Sequence, residues 1–93
     1  DSNVKINGIN YSLNNIEKLL IYKFKKKNIK ILHSNKIDKL FLFTDAKLDI
    51  NKIYRILKKH KFNIVFKKFF FNFTFSFHDN GKHKITNLKK MIN

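Results

Sequence analysis

The sequence predicts an α+β fold: a small sheet domain built on a βαβ unit, with one packed helix and a long C-terminal β-hairpin, a variant of the ferredoxin-like arrangement. Three observations lead there. Phe69, Phe71, Phe73, Phe75 and Phe77 occupy every second position and stop at Asp79-Asn80-Gly81-Lys82. A period of two lines one face of a strand, and Asn-Gly between strand-like runs signals a hairpin, because both central residues must take positive φ. Residues 39–44, KLFLFT, form an apolar run of strand length, and Ile50, Ile53, Tyr54 and Leu57 recur at the spacing of one helix face.

With 93 residues, the chain has the size of one domain, in which folding buries about 60–65% of the unfolded surface. We therefore read 1–93 as a single domain. Residues 1–13 are a loose tail or a short strand with a bend at Gly8. From Asn14 a helix is expected, with Asn14 as cap, Glu17 three residues on as its reciprocal partner, and Ile16, Leu19 and Leu20 on its apolar side. The strand at 39–44 leads into a second helix, whose start carries Asp45 and Asp49 where the helix dipole favours carboxylates. Asn63 ends that helix region, and Phe62, Ile64 and Phe66 begin the next strand. Because Ile64 and Phe66 have the opposite parity to the odd-numbered Phe residues, a bulge or twist is expected near Lys67-Lys68. From Phe66 to Ile92 the hairpin is expected to close around Asn80-Gly81, with Asp79 facing Lys82, Phe77 facing Lys84 and His78 facing His83. A right-handed crossover lays the helix on one sheet face and leaves the other for a basic surface. The Phe ladder is core or, in the sharper alternative, a base-stacking platform.

Charge points to partners. The chain carries 21 basic residues against 6 acidic ones, a formal net charge of +15, which predicts attraction to a polyanion. All but Arg55 are Lys, which suits phosphate backbone contact better than bidentate readout of base edges. The run Lys23 to Lys30 is either a solvated face or a phosphate-contacting segment, and we favour the latter. The RNA-binding set expected on these grounds is Lys23, Lys25, Lys26, Lys27, Lys30, Lys36, Lys47, Lys52, Arg55, Lys58, Lys59, Lys67, Lys68, Lys82, Lys84, Lys89 and Lys90. His78, Asp79, Asn80, Gly81 and His83 form the hairpin tip. The abundance of Lys, Asn, Ile and Phe also suits an AT-rich genome.

Several chemistries find no support. There is no Cys, hence no disulfide and no thiolate metal site. His78 and His83 offer two ligands without a third, a poor zinc site. Asp45 and Asp49 read as helix-start residues rather than a catalytic carboxylate pair. The two glycines, Gly8 and Gly81, make no phosphate-cradling loop. No catalytic residue, cofactor or metal is therefore expected. No apolar run approaches the ~18 residues of a membrane span. The first residue is Asp1 rather than Met, so a start or targeting segment is expected to be missing.

The segment KLFLFTDAKLDINKIYRIL, followed by FNIVFKKF and closing in LKKMI, resembles large-subunit ribosomal protein twenty-three, a small protein at the rim of the peptide exit tunnel. Leu88-Lys89-Lys90-Met91-Ile92 stands in the place of that family's last strand, and Ala46-Lys47 with Ile50 and Ile53 stands at its helix start. The resemblance covers residues 19–92. It implies a structural, non-enzymatic protein of the large ribosomal subunit, in contact with ribosomal RNA, neighbouring ribosomal proteins and nascent chain, in an organelle (plastid-type or mitochondrion) or an AT-rich reduced-genome bacterium. The family's Ser/Thr-Glu-Lys motif would fall on Ile21-Tyr22-Lys23 or Ser34-Asn35-Lys36; neither has the Glu through which the family docks chaperones and targeting factors. The alternatives are another small basic ribosomal protein, a free nucleic-acid-binding protein, or a basic amphipathic protein on anionic membrane.

Overall fold

The computed structural model describes residues 3–92. It is a small α+β domain with three helices and two small sheets, one of them mixed. Strands β1 (Asn3–Ile6) and β2 (Ile9–Ser12) pair as a hairpin. Its turn is Asn7-Gly8, both at positive φ (51° and 81°), the two-residue geometry that matches strand twist. The loose-tail alternative for 1–13 is thus corrected for the described part of that stretch. Helix α1 (Leu13–Phe24) follows without a linker. Its cap is Ser12, whose hydroxyl accepts from the Asn15 N–H at 3.3 Å; Asn14 lies inside the helix, so the expected Asn14/Glu17 capping box does not form.

A three-stranded sheet carries the core, in the order β3 (Ile29–Ser34), β4 (Lys39–Thr44), β5 (Phe66–Phe70). β3 and β4 are antiparallel, β4 and β5 parallel. Helix α2 (Ile50–Lys59) makes the crossover, so the expected βαβ unit is present. Asp49 caps α2, accepting from the Asn51 and Lys52 N–H groups at 2.9 and 3.3 Å. Leu40 pairs with Phe66 but Phe41 with Lys68, which leaves Lys67 as an extra residue: the bulge expected from the parity change lies there.

β4 is the middle strand and buried on both faces, which is why its run is apolar rather than alternating. Leu40 and Leu42 face α1 and α2, packing with Ile16, Leu20, Ile29, Ile31, Ile53 and Leu57. Phe41 and Phe43 face the other way, into a second cluster with Leu32, Leu88 and Ile92. The second face is therefore not a free basic surface. It is covered by residues 73–92.

That cover replaces the long hairpin. Asn72 takes positive φ (54°), and its N–H and that of Phe73 donate to the Ala46 and Thr44 carbonyls at 3.3 and 2.9 Å. This left-handed step reverses the parity of the Phe ladder. Phe69 and Phe71 pack on the first cluster, Phe73 and Phe75 on the second. Phe43 stacks on Phe70 (centroids 4.5 Å apart, planes at 4°) and meets Phe73 edge-on at 5.2 Å. Phe69 to Phe75 thus pack on the core, split over two faces, while Phe77 stays exposed at the tip. Residues 86–92 are helix α3 (Thr86–Ile92), not a returning strand: Ile85, Leu88 and Ile92 line one helical face against the sheet.

Candidate functional site

What remains of the hairpin is its tip. Phe77 pairs with His83. The His78 N–H donates to the Lys82 carbonyl at 2.8 Å, the Gly81 N–H to the His78 carbonyl at 2.9 Å, and the Lys84 N–H to the Ser76 carbonyl at 2.8 Å. The register differs by one residue from the expected one, in which Phe77 faced Lys84 and His78 faced His83. Only Gly81 of the central pair has positive φ (83°), so the loop is the three-residue kind. Asn80 serves through its side chain, whose Oδ1 accepts from the Lys82 N–H at 3.1 Å. Lys82 is exposed at the end of this tight loop.

His83 anchors the loop to the body of the domain. Its ring stacks on Phe75 (4.6 Å, 24°) and contacts Phe77 (5.1 Å). Its Nε2 lies 3.2 Å from Asn28 Oδ1, and Asn28 Nδ2 donates to Asp45 Oδ2 at 2.7 Å. Burial, and after it the charge of Lys30, hold the His83 imidazole below its ordinary pKa, with Asp45 acting the other way. Lys27, Asn28, Lys30, Phe77, Lys82 and His83 line one groove between the tip and the start of β3. Lys30 is half-buried, its Nζ 3.6 Å from Glu17 Oε2. The buried Glu17 carboxylate also accepts from the Ile31 N–H at 2.7 Å, and burial raises its pKa against both partners. Glu17 thus ties α1 to β3 instead of capping its own helix.

Of the expected lysines, the groove gathers Lys27, Lys30 and Lys82. Lys52, Arg55, Lys58 and Lys59 are exposed on α2, over one sheet face, and Lys89 and Lys90 on α3, over the other. Lys23 and Lys25 end α1, Lys26 follows it, Lys36 is in the β3–β4 turn, Lys47 precedes α2, Lys67 and Lys68 lie on β5 and Lys84 follows the tip; all are exposed. They surround the domain rather than form one stripe. His78 and Asp79 are exposed at the tip, and His78 does not meet His83. Among the described residues no three metal-ligating side chains converge, and no helix is long and apolar enough to cross a membrane. Sequence reasoning missed Asn28 and the Asp45 contact; nothing local links residue 28 to residue 83.

No protein-family model and no curated protein sequence matches the chain, but solved structures do. The chain superposes on Klebsiella oxytoca NpsA in complex with 3-hydroxyanthranilyl-AMSN with TM-score 0.78 at 21% identity, over 98% of this chain and 19% of that one. It matches the amide bond synthetase McbA from Marinactinospora thermotolerans with TM-score 0.70 at 10% identity, over 99% of this chain and 21% of that one. It also matches an acyl-CoA synthetase (AMP-forming)/AMP-acid ligase II-like protein from Dyadobacter fermentans with TM-score 0.56 at 14% identity, over 99% and 29%. The chain thus shares its fold with one part of each of these proteins, and it spans 19–29% of their length. This finding corrects the resemblance to ribosomal protein twenty-three. The expectations that rested on it fall too: a structural constituent of the large subunit, ribosomal RNA, ribosomal proteins and nascent chain as partners, and a protein that is no enzyme.

Proposed function

We propose that this chain is the small C-terminal domain of an adenylate-forming enzyme and that it acts together with a larger domain. The observation that carries this reading is the match in fold along nearly the whole chain, at TM-score 0.78, to one-fifth of an enzyme. The reaction class is attack of a substrate carboxylate oxygen on the α-phosphorus of ATP. The bond from the α-phosphorus to the bridging oxygen breaks, and pyrophosphate leaves with the electron pair. An amine or thiol then displaces AMP from the acyl adenylate. Both reactants are anionic, and charge builds on the phosphoryl oxygens as the pyrophosphate departs. A fixed cation aimed at those oxygens lowers the barrier without reorganising at the moment of reaction.

Lys82 fits that role: it is exposed at the end of a tight loop whose backbone is held by Asn80 and His78. The strongly positive chain also draws anionic nucleotide and substrate toward it.

The test is carboxylate-dependent exchange of pyrophosphate into ATP by the native polypeptide bearing this domain. Wild type should catalyse exchange with at least one carboxylate class. Lys82→Ala should lower kcat by about 10²–10³-fold, while Lys89→Ala, on α3, should leave it unchanged. No exchange across aryl, alkyl and amino-acid carboxylates would overturn the reading.

A further inference from the structure

We propose that His83 is a positioning residue for Lys82, fixed by the hydrogen-bonded chain Asp45–Asn28–His83 that pins the loop tip to the rim of the sheet. The inference rests on the functional reading above for its catalytic consequence but not for its structural content.

Asn28 settles the direction of the chain. Its Nδ2 donates to Asp45 Oδ2 at 2.7 Å, and an ionised carboxylate can only accept. The Asn28 side-chain oxygen is therefore the atom turned toward His83 Nε2 at 3.2 Å. An amide oxygen has no hydrogen to give, so Nε2 must carry one. Neutral His83 is consequently the Nε2–H tautomer. The anchor joins residues 55 apart in sequence, and it acts on the residue directly beside Lys82.

The loop has little else to hold it. Its residues 78–82 are all exposed, and its backbone bonds are internal or to its own two arms. The aromatic contacts of His83 with Phe75 and Phe77 fix the ring within the tip. The Asn28 contact fixes the tip relative to β3 and the β4 end. Lys30 and Asp45 are the charged groups that act on the ring. Lys30 disfavours an imidazolium there, and burial does so more, which keeps the ring neutral and the tautomer defined near neutral pH.

Two variants separate this role from packing. His83→Phe keeps a flat ring between Phe75 and Phe77 but removes the donor. His83→Gln removes the ring but keeps an N–H that can reach Asn28. Nitrogen-15 NMR of the chain should show His83 as the Nε2–H tautomer. Amide exchange at Gly81 and Lys82 should rise about tenfold in His83→Phe and in Asn28→Ala, with β4 amides unchanged, and should return toward wild type in His83→Gln. In the native polypeptide, His83→Phe should lower kcat for adenylate formation about 10- to 100-fold with little change in KM for ATP, the pattern of a misplaced catalytic group, and His83→Gln should recover most of it. An Nδ1–H tautomer, or a His83→Phe tip that exchanges like wild type, overturns the inference. A wild-type polypeptide that forms no adenylate sinks the functional reading instead, and the tautomer and exchange data still decide the anchor.

Discussion

Asn7-Gly8 and Asn80-Gly81 are the same dipeptide in two different turns. At the first, both residues have positive φ, and Ile6 pairs with Ile9 across a two-residue loop. At the second, only Gly81 does, and His78 pairs with Lys82 across three residues. The difference lies in what fixes the register. The N-terminal hairpin has a ladder of four residue pairs, and the turn that suits the strands' twist is free to form. The C-terminal arms are held by side chains: Phe73 and Phe75 in the second cluster, His83 against Phe75 and on Asn28. Those anchors choose the pairing, and the turn adapts. A local turn signal thus fixes that the chain reverses, while tertiary contacts fix the register, and a slip of one residue changes which side chains face each other.

The comparison can be broken most forcefully at Phe43. It is fully buried and touches Phe70 and Phe73. Phe43→Ala should cost about 3–5 kcal/mol by denaturant unfolding. Hydrogen exchange should show residues 71–92 loosening before β1–β2. Equal loosening of both hairpins would mean that the C-terminal arms do not depend on their side-chain anchors. A smaller effect separates the two asparagines. Asn7→Gly should stay within about 0.5 kcal/mol of wild type, since a positive-φ position accepts Gly with little penalty. Asn80→Gly deletes the acceptor for the Lys82 N–H and frees the unfolded chain, and should cost about 1 kcal/mol. Asn80→Asp, which keeps an acceptor, should restore stability.

The smallest effect is a pH dependence of opposite sign at the two ends. Glu17 has its pKa raised above 4.5 by burial. The folded state therefore binds that proton more readily than the unfolded one, and the contribution is complete below 4.5 and is lost as pH rises through the folded value. His83 has its pKa lowered below 6.5, first by burial. Its contribution is complete above 6.5 and is lost as pH falls through the folded value. Acidification from neutral pH should therefore speed exchange around 76–84 while α1 and β3 hold or gain protection. Glu17→Gln should abolish the gain, and His83→Gln the loss.

Much of the middle of the molecule was legible in the sequence. KLFLFT is β4, the Ile50/Ile53/Tyr54/Leu57 face is α2, Asp49 is its cap, and the parity change marks the bulge at Lys67. These signals are local and each is satisfied locally. β3 was hidden because its first residues, Ile29 and Lys30, close the run KFKKKNIK and read as part of a charged segment. α3 is masked in the sequence because Lys82 to Ile92 also read as a partner strand for the Phe ladder. Ile85, Leu88 and Ile92 carry the helical spacing that would have found it. Asn7-Gly8 between VKI and INY carried the same hairpin signal as Asn80-Gly81. At the candidate site Lys82 and His83 stood out by their place at the tip. Their link to Asn28 and Asp45 did not, because it exists only once β3, β4 and the tip are brought together.

The left-handed step at Asn72 carries the chain from one side of the sheet to the other. It divides the domain in time as well as in space. The first cluster draws its buried residues from Tyr11 to Phe66, so during vectorial synthesis it can close while the rest is still being made. The second needs Leu88 and Ile92. Until those residues emerge, Leu32, Phe41 and Phe43 form a bare apolar face on an already paired sheet, the kind of surface on which partly folded chains associate. The late-arriving tail is therefore what makes the paired sheet non-adhesive, and any delay in docking Leu88 and Ile92 prolongs the exposure of that face.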